Sequence, residues 1–243
     1  MDEPYTVSDA IPACLKGRPS EFLSSRPHLQ RLMAAAMVFR ARQGAAAAQT
    51  LLLRRAPSDS YPLRWEVPGG STSDRKDGSV LDGVRRELRE ETGLAARRML
   101  YTVGMLEEAP PMPTPADLGA EEEEARNDEG DEARTVSFWE FDQRHGMVRW
   151  GKVTVVVDVD EDLGDGSVVR LDEKEHDRWA WATRAEVEAG RWADGEEIGF
   201  VTEGSWRSIL EGFRLYAEKA DKEREMDGPR LMTKFGGKAN KGL

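Results

Sequence analysis

Apolar positions along this chain fall into two spacings. Leu32-Met33-Ala34-Ala35-Ala36-Met37-Val38-Phe39 and Leu51-Leu52-Leu53 are short unbroken runs between polar segments, the pattern of strands buried on both faces. Helix would also suit the alanines, but the β-branched and aromatic pair Val38-Phe39 favours strand. The two runs, 31–40 and 50–55, read as strands of a buried sheet joined by a loop over 43–49. Val80, Leu81, Val84 and Leu88 recur instead at helical spacing and form one apolar stripe. Ser79, with Asp82 three residues on, is the N-cap of this helix, and Gly93 ends it. Further strands are predicted over 98–106, 135–141, 152–159 and 178–182. Thr183 with Glu186 predicts a capped helix. Trp206, Ile209, Leu210, Phe213 and Tyr216 predict a long helix over 203–219, in which these rings serve as core. A strand-rich centre with helices before and after it is a mixed α/β architecture.

Three segments depart from these spacings. Residues 1–28 contain Pro4, Pro12, Pro19 and Pro27 with little periodicity and read as an irregular lead-in. Residues 109–134 hold four prolines followed by Glu121 to Glu124 and more acids, and read as a disordered acidic insertion and not a domain. The basic and glycine-containing stretch 221–243 reads as a flexible tail.

Composition narrows the classes. A hydrophobic content of 39% over 243 residues fills one core. No apolar run reaches membrane-spanning length and no secretory h-region is visible, so a cytoplasmic protein without membrane association is expected. The single cysteine, Cys14, excludes an internal disulfide and has no histidine close by in sequence, which suits an idle thiol better than a nucleophile. A net charge of −11 argues against broad nucleic-acid binding, which draws on basic surface. His28 and His145 have no metal-ligand spacing.

The chemistry concentrates in Arg86-Glu87-Leu88-Arg89-Glu90-Glu91-Thr92-Gly93-Leu94. Taking Glu87 as zero, Glu91 falls at about +40° and Glu90 at about −60°, so three carboxylates project within an arc of about 100°. They repel one another in the last turn, where the helix dipole is itself negative. A bound divalent cation reverses that penalty. Arg86, four residues before Glu90, can hold its carboxylate bidentately. The apolar stripe lies beside the acidic edge, so the helix packs along one side and offers the other to a cleft, with Gly83 leaving space over the carboxylates. Upstream, Trp65-Glu66-Val67-Pro68-Gly69-Gly70 reads as a short strand entering a turn whose glycines let the backbone approach a ligand. An irregular loop over 71–78 follows.

These residues resemble the Nudix hydrolase family, whose signature in one-letter code is G-x5-E-x7-R-E-U-x-E-E-x-G-U, with U bulky and aliphatic. Every position from Arg86 to Leu94 matches. The loop between Gly70 and Arg86 is two residues longer than the family's, and Gly78 stands where its first glutamate belongs; Asp74 or Asp77 is placed to supply a carboxylate instead. The resemblance implies an α/β/α sandwich around a mixed β-sheet in a single domain over 29–220, and metal-assisted attack of water on a diphosphate linkage. Its implied ion, Mg²⁺ or Mn²⁺, has Glu87, Glu90 and Glu91 as ligands together with the Gly69 carbonyl, with Arg86 orienting Glu90. Gly70 is placed at the substrate, and a base-binding pocket would use a tryptophan, Trp65 or Trp139. The general base would come from Glu175 first and His176 second, with Glu90 next. The expected partner is a small-molecule diphosphate, namely an ADP-ribose-like compound or a nucleoside triphosphate, and a homodimer is compatible with it. Pro110 and Pro111, about fifteen residues past the motif, point weakly to ADP-ribose. The alternatives are a non-catalytic nucleotide- or phosphate-binding module and a diphosphatase for a non-nucleotide such as an isoprenyl diphosphate.

Overall fold

The computed structural model describes residues 4–41, 47–113, 125–164 and 168–227. In chain order the elements are β1 (Thr6–Val7), a 3₁₀ turn (Ala13–Lys16), α1 (Pro19–Ser24), β2 (Arg31–Met37), β3 (Phe39–Arg40), β4 (Gln49–Arg55), β5 (Trp65–Glu66), β6 (Gly69–Ser71), α2 (Val80–Thr92), β7 (Ala96–Val103), β8 (Arg126–Asn127), β9 (Val136–Asp142), β10 (Gly146–Val159), β11 (His176–Thr183), α3 (Arg184–Ala189) and α4 (Glu203–Asp227). The larger sheet runs β1-β7-β10-β2-β6, with β9 also on β10 and β8 on β9; the smaller runs β11-β4-β3, with β5 on β4. The larger sheet is mixed: β1 is parallel to β7 and β2 to β10, while β6, β7 and β9 pair antiparallel.

Period-two alternation builds the layers. On β2, Ala34 and Ala36 face the apolar layer that holds Val80, Leu81, Val84 and Leu88 of α2, whereas Ala35 and Met37 face the opposite layer, with Trp206, Ile209, Leu210 and Phe213 of α4. Val153, Val155 and Val157 of β10 side with α2, and Val156 with α4. A strand with helices on both faces must be apolar at every position, which is why the alanine-rich run carries no polar residue. The result is the expected α/β/α arrangement around a mixed sheet.

The expectation that 31–40 and 50–55 pair in one sheet is only half met. Arg31–Met37 pairs with β10 and β6, while Phe39–Arg40 pairs with β4. The chain changes sheet at Val38, whose carbonyl accepts from the Leu51 N–H at 3.0 Å and the Thr50 hydroxyl at 3.1 Å. Most of the loop over 43–49 lies outside the described residues.

The reading of residues 1–28 as an irregular lead-in is overturned. Ile11, Leu15 and Phe22 are buried in the α2 layer, and the segment holds α2 directly. The Gly17 carbonyl accepts from the Val80 N–H at 3.0 Å, the Tyr5 hydroxyl donates to Asp82 Oδ1 at 3.1 Å, and Ser20 donates through its N–H (2.9 Å) and hydroxyl (2.5 Å) to Asp74. Prolines hid this, because Pro19 opens α1 at a position where a missing N–H costs nothing.

The insertion is corrected over its second half as well. Asn127 clamps the Met105 backbone, accepting from its N–H and donating to its carbonyl at 2.7 Å each, and Ala133 is fully buried. Asp131 pairs with Arg26 and accepts from the Thr135 N–H at 3.1 Å. The glutamate run 121–124 lies outside the described residues. At the other end, α4 continues to Asp227, into the stretch expected to be a flexible tail.

If residues 1–28 are core, Phe22, which is 1% exposed, is a strong test. Phe22→Ala is expected to destabilise the fold by about 3 to 5 kcal/mol in urea titrations. A loss below about 1 kcal/mol would restore the lead-in reading.

Candidate metal centre and active site

The acidic helix is capped as the sequence requires: Ser79 Oγ accepts from the Asp82 N–H at 3.0 Å, and Gly93 closes the helix at φ 73°. Its three carboxylates do not share one environment. Glu87 and Glu91 point inward and are 6% and 3% exposed, while the Glu90 side chain lies on the rim, 56% exposed. One guanidinium ties the site together. Arg86 Nη1 donates to Glu87 Oε1 (2.7 Å) and Glu90 Oε2 (2.9 Å), Nε donates to Asp77 Oδ1 (2.7 Å), and Nη2 donates to the Ser71 carbonyl (3.1 Å).

Of the two loop aspartates, Asp77 is the one that reaches Arg86. It is buried and also accepts from the Ser73 N–H at 3.0 Å, so it closes the lengthened loop while fixing Arg86. Asp74 instead faces Ser20, away from the helix. Gly83 corrects an expectation: a Cβ there would lie 2.7 Å from the Thr72 methyl, so this glycine lets the loop pack down and leaves no space over the carboxylates.

Gly69 and Gly70 bring β6 onto the carboxylates. The Gly69 N–H donates to Glu91 Oε2 at 2.8 Å, and a Cβ on Gly70 would sit 2.8 Å from Glu87 Oε1. Trp65, expected at the substrate, belongs to the core; its ring meets Trp192 edge-on at 5.0 Å in the α4 layer. The next residue, Glu66, faces the acidic group instead. It is buried, accepts from Arg55 Nη1 at 2.5 Å, and has His176 Nε2 at 3.8 Å. The sequence signal for Glu66 was a lone charge inside a short apolar strand.

From the far side, the turn before β11 delivers Glu175 and His176, whose N–H groups both donate to the Asp172 carbonyl, at 3.1 and 2.9 Å. Glu175 is exposed and His176 is buried. Ligand atoms of Glu91, Glu175 and His176 all lie within 4.8 Å of one another.

The electrostatics of this group are those of a site built for a cation. Burial pushes the Glu91 carboxyl well above the usual carboxylate range, with Glu66, Glu87 and Glu175 adding to it, against which the Gly69 N–H and the Arg55 charge act in the other direction. Burial raises Glu87 too, more than Arg86 lowers it. Glu66 is pushed up by burial, yet His176 and Arg55 outweigh this and hold it low. Crowded, half-compensated carboxylate oxygens beside an imidazole form a donor set that suits a divalent ion. Next to it opens a cleft of about 960 Å³ whose lining includes Glu66, Arg55, Tyr61, Trp139, Arg149 and Lys152.

The NUDIX domain model matches residues 30–200 of this chain, and the chain belongs to that family. Among solved structures, the M. Smegmatis Nudix hydrolase RenU is 18% identical, with 78% of this chain and 85% of that chain covered and a TM-score of 0.42. Shewanella oneidensis NrtR is 17% identical (80% and 64% covered, TM-score 0.41), and a NUDIX hydrolase from Nitrosomonas europaea is 14% identical (84% and 96% covered, TM-score 0.37). These likenesses are distant, and membership rests on the domain match. No curated protein matches the chain.

The raised Glu91 gives a pH test. In the native state it keeps its proton at pH values where the unfolded chain has lost it, so metal-free stability falls as pH rises from the ordinary carboxylate value through the raised native one. Glu91→Gln is therefore expected to melt above wild type in EDTA at pH 8, with the gap closing toward pH 4. A variant melting below wild type at pH 8 would contradict this.

Proposed function

We propose that the chain hydrolyses a diphosphate linkage in a nucleoside diphosphate derivative, ADP-ribose-like or a nucleoside triphosphate, with a divalent ion. The observation that carries this reading is the convergence of Glu91, Glu175 and His176, from two distant segments, with Glu87 one turn before Glu91, beside a cleft lined by Arg55, Glu66, Arg149, Lys152 and Trp139. Glu87, Glu90 and Glu91, with the Gly69 carbonyl, would hold Mg²⁺ or Mn²⁺. Such an ion polarises phosphoryl oxygens and lowers the pKa of water.

The chain's own groups do the rest. Arg86 fixes the rotamers of Glu87 and Glu90 before any ion arrives, and Asp77 fixes Arg86. Glu175, exposed and with its carboxylate beside Glu91 and His176, accepts the proton of the attacking water as the water oxygen bonds to phosphorus and the phosphorus–oxygen bond to the leaving phosphate breaks. In the cleft, Arg149 lies over the Trp139 ring at 5.9 Å, a setting for a planar group attached to phosphates, and less suited to an isoprenyl tail.

Product analysis with Mg²⁺ and with Mn²⁺, over ADP-ribose, nucleoside triphosphates including oxidised ones, and isoprenyl diphosphates, is expected to find turnover confined to nucleotides. Glu175→Gln is expected to lower kcat by about 10² to 10⁴ with metal affinity kept. Nucleotide binding without turnover of any compound by the unmutated protein would establish a binding module instead.

A further inference from the structure

His176 is out of place by ordinary packing rules. It is 2% exposed, and among the described residues neither ring nitrogen has a partner at hydrogen-bond distance, Glu66 acting on it from 3.8 Å as a charge. A buried polar group in that state bears its full desolvation penalty unless something else satisfies it. Its neighbours are acidic: Glu66 Oε1 stands 3.8 Å from Nε2, and Glu91 and Glu175 offer oxygens within 4.8 Å of a ring nitrogen and of each other. Two donors bound to one ion at about 2.1 Å each lie up to about 4 Å apart, so Glu91 and His176 reach a common ion with movements of less than about 1 Å. Glu66, pinned by Arg55 at 2.5 Å, is the kind of adjacent carboxylate against which a ligating imidazole is oriented.

We propose that His176 is a ligand of the ion shared with Glu91, and that its nitrogen makes this centre a site for a first-row transition ion such as Mn²⁺ in preference to Mg²⁺. The inference rests on the reading of α2 as the ion-binding helix. Magnesium takes oxygen donors and holds its waters, whereas imidazole suits the transition ions. Glu175, beside the pair, keeps its place as proton acceptor. The preference is encoded outside the helix motif, at the start of β11.

The test uses Mn²⁺ alone, without substrate. The chain has three histidines, and His28 and His145 lie at the surface, paired with Asp128 at 2.8 Å and Asp142 at 2.9 Å. In the double variant His28→Asn/His145→Asn, electron spin echo spectra of bound Mn²⁺ are expected to keep ¹⁴N modulation from a directly bound imidazole. Adding His176→Gln is expected to abolish it and to lower the Mn²⁺ over Mg²⁺ affinity ratio about tenfold. Should that variant fail to fold, ¹⁵N-histidine labelling of the double variant must convert the modulation to the ¹⁵N pattern. Bound Mn²⁺ without nitrogen modulation, or modulation unaffected by labelling, overturns the proposal. Nitrogen-coupled Mn²⁺ in a protein that turns over no diphosphate would sustain it while removing the hydrolase reading. Absence of any Mn²⁺ binding would remove both.

Discussion

Everything at the centre of this molecule depends on the Arg86 guanidinium. Two buried carboxylates one helical turn apart, Glu87 and Glu91, are an unfavourable arrangement, and the rim carboxylate Glu90 adds to it. Arg86 offsets part of that repulsion by bonding Glu87 and Glu90, and it is held by Asp77 and the Ser71 carbonyl. Glu91 has no direct bond from Arg86; the Gly69 N–H and the charge of Arg55 act on it, and burial still holds its carboxyl high. A cation at this point would offset the remaining repulsion.

The fold exists around this tension. Segment 4–28 caps and covers α2, β6 presses two glycines onto its acidic edge, and the smaller sheet brings Glu66 on β5 and His176 on β11 to the same point through their common neighbour β4. Because β4 pairs with both strands, one strand positions two groups that lie about a hundred residues apart in sequence. The lengthened loop is tied to the helix by the Asp77 pair: its carboxylate, one residue before Gly78, accepts from Arg86 at 2.7 and 3.2 Å.

Much of this was legible in the sequence, and the gaps have physical causes. Helix α2 was readable to its caps because Ser79, Gly93 and the stripe Val80, Leu81, Val84 and Leu88 are local signals. The convergence of Glu175 and His176 on the helix was expected through family resemblance, since no spacing rule links positions some eighty residues apart. Segment 4–28 was misread because four prolines suppress periodicity even where Leu15 and Phe22 are buried. Trp65 was assigned to the substrate on its chemistry, whereas neighbours on a strand face opposite ways: the tryptophan went to the core and Glu66 to the site. Gly83 fails for a similar reason, because a glycine in sequence does not reveal whether its empty side is solvent or a packed loop.

Burial, with mutual repulsion adding to it, pushes the Glu87 and Glu91 carboxyls upward, and a divalent cation would reverse that shift. Calorimetric titration of Mn²⁺ into the substrate-free protein, repeated in buffers of different ionisation enthalpy, measures the protons released per ion. Because their carboxyls are raised, Glu87 and Glu91 are expected to release protons on Mn²⁺ binding, with the release diminishing as pH rises and they ionise in the free protein. Binding with no proton release at any pH, or no binding at all, would contradict this.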